Sequence, residues 1–256
     1  MAVTLSEEER ARYARQIILK EIGGAGQRRI KRATVAMIGA GGIGSPAAAY
    51  LAGAGVGRLV IIDDDRVDTS NLQRQILFDT ADVGGSKAQR AAEAVRRRNP
   101  HVDVVALDDR ITVANAATLL AGADVVLDGC DNFATRLIVA DTALALRLPL
   151  VSAAVGQFEG QLATYRGWES DKPCYRCLVG AAPDRDEGTC AEQGILGPVT
   201  GILGSMAALE AIRAVTPFGE DSAGRLTLVD LLDLRFRTIR VAKDPACPAC
   251  RAASAQ

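Results

Sequence analysis

The feature that most constrains the fold is a glycine turn, Gly39-Ala40-Gly41-Gly42-Ile43-Gly44, placed directly behind the mostly apolar run Thr34 to Ile38. Such a run suits a strand buried on both faces of a parallel sheet. The small-residue stretch Ser45 to Ala54 suits a helix, with Pro46 tolerated in its first turn. Gly39, Gly41 and Gly44 therefore fall where a tight turn, close approach of phosphate and free helix N–H groups are needed together. Arg58 to Ile62 reads as the next strand, ending at Asp63, Asp64 and Asp65. Asp63 stands where an acidic side chain accepts hydrogen bonds from ribose hydroxyls.

The same alternation continues along the chain. Ser86 caps a helix to about Arg98, which Asn99-Pro100 stops. Val102 to Leu107, Val125 to Leu127 and Leu150 to Ala154 read as strands, and Ala134 to Arg147 as a helix. This predicts an α/β fold, a Rossmann-like doubly wound, mostly parallel sheet. Beyond Gln157 the pattern changes. Gln161 to Arg166, Leu226 to Leu231 and Leu234 to Val241 read as C-terminal antiparallel strands, with a helix over about Val199 to Val215. Ahead of the core, Ser6 and Glu9 form a capping box that opens a helix to about Lys20, which Gly23, Gly24 and Gly26 break. The loop of Cys174 and Cys177, running on through Ala181 to Gly188, reads as irregular and mobile, and the tail from Arg251 as disordered.

Composition narrows the partners. The net charge is −1, so the basic surplus of a nucleic-acid binder is missing. No run of roughly 18 apolar residues predicts a membrane span, and Met1 to Arg15 lacks the apolar stretch of a signal peptide. A cytoplasmic protein is expected. In a reducing compartment its six cysteines read as metal ligands or catalysts rather than disulfides. Cys174-x-x-Cys177 and Cys247-x-x-Cys250 make two thiolate pairs that suit a structural, tetrahedral Zn²⁺; the alternative is a reduced redox pair. Cys130 reads as a small core residue.

A second set of residues gathers at the strand ends, where ligands bind in open α/β sheets. Ser70, Asn71 and Arg74 follow the second strand, Lys87 opens the next helix, and Asp131-Asn132 follows the strand Val125 to Leu127. Arg74 and Lys87 can meet phosphates on the glycine turn, and Asp131 can hold Mg²⁺. Singly, each has a plain alternative: a solvated lysine, a surface arginine, a turn pair. The glycine turn alone would equally suit NAD. The single histidine, His101, reads as a surface residue and gives little support to an oxidoreductase.

With these residues the chain resembles the ThiF/MoeB family, which activates sulfur-carrier proteins and is related to ubiquitin-activating enzymes. The shared stretches are Arg12-Tyr13-x-Arg15-Gln16-Ile17, the glycine turn, Gly53 to Gly57, Asp63-x-Asp65-x-Val67, Ser70 to Gln75, Lys87, Asp128-x-x-Asp131-Asn132, Cys174-Tyr175-Arg176-Cys177, Cys190 to Pro198 and Cys247-x-x-Cys250. They span about Arg10 to Cys250. The resemblance implies one adenylation domain over residues 1–256, with a helical arm at about 5–30, a nucleotide-binding core at about 34–155 and a carrier-binding, zinc-bearing part at about 156–250. It implies that Gly42 and Asp63 contact ATP, that Asn71, Arg74 and Lys87 line the phosphates, and that Asp131 coordinates Mg²⁺. It places Arg15 at the neighbouring subunit's ATP, hence a homodimer. Cys190 corresponds to a cysteine that in some members links covalently to the carrier; a spare thiol is the alternative.

The implied reaction makes an acyl-adenylate of the C-terminal carboxylate of a small ubiquitin-like carrier ending in Gly-Gly. Val83-Gly84-x-x-Lys87, Asn99-Pro100-His101 and Glu159-Gly160-Gln161 lean toward the molybdopterin-synthase carrier. Gln75 to Phe78 and Gly194 to Pro198 lean toward the thiamin-pathway carrier ThiS. No rhodanese domain follows Cys250, so a separate sulfur donor is expected. A non-catalytic scaffold is the further alternative, and an enzyme of the superfamily acting on another carrier or a peptide terminus another. The retention of Arg15, Arg74, Lys87 and Asp131 speaks against the scaffold.

Overall fold

The computed structural model describes residues 3–180 and 194–254. Its strands are β1 Thr34–Ile38, β2 Arg58–Ile62, β3 Asp103–Leu107, β4 Val125–Asp128, β5 Leu150–Gly156, β6 Glu159–Tyr165, β7 Arg225–Asp230 and β8 Arg235–Arg240. They form one sheet in the order β3-β2-β1-β4-β5-β6-β7-β8. The first five are parallel, and β6 to β8 join antiparallel. Strand order reverses between β1 and β4, so the crevice beyond their C-terminal ends is the place for a ligand.

The helices are α1 Glu7–Arg12, α2 Ala14–Ile17, α3 Gly23–Arg32, α4 Gly44–Ala54, α5 Lys87–Arg98, α6 Ala116–Leu120, α7 Phe133–Ala145, α8 Tyr175–Val179, α9 Gly197–Val215 and α10 Pro248–Ser254. Because strand side chains alternate, β1 feeds two cores. Val35 and Met37 pack with Ala48 of α4, Ala91 of α5 and Leu203 of α9. Ala36 and Ile38 pack with Leu120 of α6, Val139 of α7 and Tyr175 of α8. Helices thus cover both faces, as expected for a doubly wound sheet.

Four local expectations are corrected. The first helix does not run to Lys20. Its Ser6–Glu9 capping box is present, but the helix stops at Arg12 and a separate turn, α2, follows. The buried Tyr13 sits at the break, its hydroxyl accepting a hydrogen bond from the Asn99 amide at 2.8 Å. The glycines do not end a helix; they open α3. A β-carbon on Gly26 would lie 3.0 Å from Thr216 Oγ1, so the glycine serves close packing. The cysteine loop contains α8, and the tail is helical to Ser254. Ala181 to Gly188 and Cys190 lie outside the described residues.

Helix α9 is, by length and composition alone, apolar enough to cross a membrane. It instead packs against α4 and strands β4 to β6. Its two charged side chains, Glu210 and Arg213, pair with each other at 3.1 Å.

Candidate active site

The turn after β1 is shaped by backbone. Gly39 has φ of 86°, and a β-carbon there would lie 3.2 Å from the Gly129 carbonyl at the end of β4. At Gly44 a β-carbon would come within 1.9 Å of the Gly39 carbonyl oxygen. These two positions let β1, β4 and the start of α4 converge. The result is a cavity of about 1000 Å³ over the C-terminal ends of β1, β2 and β4.

Gly39, Gly41 and Gly42 line it, whereas Gly44 is buried behind the turn. Asp63, at the end of β2, accepts from the backbone N–H of Ala40 at 2.6 Å and of Asp65 at 2.9 Å. It thereby ties the glycine turn to β2. Burial outweighs these two donors and the nearby Lys87, and holds its carboxyl above the ordinary range.

Both expected cations also face the cavity. Lys87 follows the helix cap Ser86 and is nearly buried, 8% exposed, with its ammonium 2.8 Å from Asp65 Oδ2. Arg74 donates to the Ser70 carbonyl at 3.0 Å and has no carboxylate partner among the described residues. Asn71 lines the cavity too, its side chain closing a capping box with Asp68. Ser70 does not; it is exposed in the same short turn.

Across the cavity, Asp131 is exposed and makes no hydrogen bond or ion pair among the described residues. Asn132 lines the cavity and caps α7, its Oδ1 accepting from Thr135 N at 2.9 Å. Arg15 is exposed on α2 and away from the cavity. His101 faces Glu8 at 3.3 Å and is likewise absent from the lining.

Several lining residues were not singled out from sequence. Arg136, four residues beyond the cap Asn132, is 6% exposed. Its guanidinium reaches Asp128, Ser152, the Ala153 carbonyl and the Cys130 carbonyl. The available signal was an arginine on an otherwise apolar helix face. Cys130 packs against the core as expected, but it is only half-buried, stands at the cavity wall and donates its thiol to Asp128 at 2.8 Å. Burial and the Asp128 carboxylate hold that thiol far above its usual range, which makes it a poor nucleophile. Gln161, Tyr175 and Thr200 also line the wall.

The four expected cysteines meet in a separate, mostly buried cluster, with all four sulfurs within 4.8 Å of one another and four of the Sγ–Sγ distances between 3.3 and 3.8 Å. Tetrahedral zinc–sulfur bonds of about 2.3 Å would place the sulfurs roughly 3.8 Å apart. The donor set fits one structural Zn²⁺ and leaves no open position. Helix α8 links the two places: it carries Cys177, while its Tyr175, Leu178 and Val179 line the cavity.

The ThiF family model matches residues 13–249. A sulfur carrier protein adenylyltransferase of Thermus thermophilus is 43% identical over 254 residues, covering 96% of this chain and 92% of the relative. A SAMP-activating enzyme E1 of Haloferax volcanii is 43% identical, covering 98% and 92%. The crystal structure of E. coli MccB superposes with a TM-score of 0.82 at 22% identity, over 96% of this chain and 73% of that one, a likeness of fold.

Proposed function

The chain belongs to the ThiF family, and on that footing we propose that it uses ATP to adenylate the C-terminal carboxylate of a ubiquitin-like sulfur-carrier protein. One observation carries the reading. A glycine turn, the cations Arg74 and Lys87 and an unpartnered carboxylate share one cavity, which Arg110 and Arg136 also line and whose lining holds no histidine among the described residues.

That set suits a nucleophile that needs no base. A C-terminal carboxylate, with a pKa of roughly 3.5, is already anionic at neutral pH. Its oxygen attacks the α-phosphorus of ATP, the bond to the β-phosphate oxygen breaks, and pyrophosphate leaves. The barrier is the meeting of two anions and the charge developing on phosphate. In this reading the turn's backbone N–H groups and the N-terminus of α4 receive the phosphates. Arg74 and Lys87 neutralise them, and Asp63 takes the ribose. Asp131, with no protein partner, fits a Mg²⁺ that needs only one or two protein carboxylates. When bound, the metal supplies charge stabilisation on the phosphoryl oxygens. An oxidoreductase has no comparable use for the two cations.

Arg15 is exposed and does not line its own cavity, which supports a homodimer in which it serves the partner's site. Mixing Arg15→Ala with Lys87→Met protein then restores part of the activity, because one composite site per mixed dimer is intact. The carrier is proposed to be of the molybdopterin-synthase type, on the residues given above. Intact-mass measurement of the carrier after incubation with ATP and Mg²⁺ tests the reading. A carrier gaining one adenylate, and losing that gain when its last glycine is removed, is the expected result. An unmodified carrier with ATP consumed would overturn it.

A further inference from the structure

Asp131 sits on a short loop between Asp128, the last residue of β4, and Asn132, the cap of α7. The Gly129 N–H ties the start of that loop to the Ile38 carbonyl of β1 at 3.0 Å. The stretch next to Asp131 is held from beneath. Arg136 donates to the Cys130 carbonyl, the residue next to Asp131, and lies 3.6 Å from the fully buried Asp128 carboxylate. The same guanidinium donates to Ser152 Oγ and the Ala153 carbonyl, both at 3.1 Å on β5. Ser152 in turn donates to Asp128 at 3.0 Å, and Asp128 accepts the Cys130 amide at 3.1 Å and its thiol.

We propose that Arg136 is a positioning residue that locks the Asp128–Asn132 loop to β5 so that the Asp131 carboxylate stays aimed at the triphosphate metal. The planar fork of a guanidinium can serve two strands and a loop carbonyl at once; an ammonium cannot. The bond to the Cys130 carbonyl is what makes the role local to Asp131. A residue needed only to neutralise Asp128 would not require it. The inference rests on the proposed role of Asp131.

The test is the Mg²⁺ requirement of carrier-dependent ATP–pyrophosphate exchange, measured for wild type, Arg136→Lys, Ser152→Ala and Asp131→Asn. Losing a group that orients a metal ligand typically costs about 10- to 100-fold in metal affinity or activity. Arg136→Lys is expected to raise the half-saturating Mg²⁺ by about tenfold, with the KM for ATP at saturating metal nearly unchanged. Ser152→Ala removes one strut of the clamp and shifts it the same way by a smaller factor, which keeps the test open if Arg136→Lys folds poorly. A second readout needs no metal and no activity: peptide-resolved alkylation of Cys130 is faster in both clamp variants, because the loop that shields its thiol is released.

Unchanged Mg²⁺ dependence in both clamp variants, while Asp131→Asn raises the requirement, would overturn the positioning role. So would a lowered melting temperature and kcat with no Mg²⁺ shift, which marks a purely structural arginine. If Asp131→Asn itself leaves the Mg²⁺ requirement untouched, the reading of Asp131 fails instead; faster Cys130 alkylation would then show a clamped loop with no metal role.

Discussion

Replacing Lys87 with methionine separates the chemistry of the site from its stability. Lys87 is 8% exposed, but its partner Asp65 is 67% exposed. When the ammonium is removed, the Asp65 carboxylate is therefore rehydrated rather than stranded. Pairs with one solvated member are worth about 0–1 kcal/mol, and methionine fills most of the lysine stem's volume. The cap Ser86 and the backbone bond from Lys87 N to the Asp65 carbonyl at 2.9 Å remain. The fold should lose no more than about 1 kcal/mol in urea denaturation. The reaction should suffer far more, because a donor aimed at developing phosphate charge is worth about 3 kcal/mol, roughly a hundredfold in rate. The assay is carrier-dependent ATP–pyrophosphate exchange at saturating Mg²⁺. Exchange within about threefold of wild type in the folded variant would refute the assignment of Lys87 to the phosphates.

Other perturbations probe different parts of the account. Cys250→Ser, at a fully buried sulfur, should cut zinc from about one atom per chain and loosen α8; metal analysis checks the first and a raised KM for the carrier the second. Gly44→Ala should cost about 1–3 kcal/mol and weaken ATP binding measured by calorimetry, since its β-carbon meets the Gly39 carbonyl oxygen. Burial opposes ionisation of Glu9, but the Lys31 ammonium and Ser6 outweigh it and lower its pKa from 4.5. Glu9 thus contributes stability above about pH 4.5 that is lost as pH falls through its lower folded value. The stability gap between wild type and Glu9→Gln should be full at pH 6 and shrink as the pH falls below about 4.5, as read by denaturation at each pH.

The parallel core was legible because its signals are local. The run Thr34 to Ile38, the glycine turn and the cap Ser86 each specify their structure within a few residues, and β1, α4 and α5 follow them. The strand-end rule then brought Asp63, Arg74, Lys87 and Asp131 to one cavity from four separate segments. What sequence hid was set by distant partners. The break at Tyr13 depends on Asn99, and the helix through Gly26 on Thr216. Helix α8 is only five residues long, and packing of Tyr175 against Phe133 and Tyr165 supports it more than propensity does. Arg136 was not singled out because two of its acceptors lie on β5, far from it in sequence.

The central claim is that the carrier's own carboxylate oxygen becomes bonded to the α-phosphorus. It is tested most directly with carrier labelled by ¹⁸O in its C-terminal carboxylate. After adenylation in the presence of ATP and Mg²⁺, and cleavage of the product by a thiol nucleophile at its carbonyl carbon, mass spectrometry should find one ¹⁸O in AMP and none in pyrophosphate. Label in inorganic phosphate with release of ADP, or unlabelled AMP, would contradict the account.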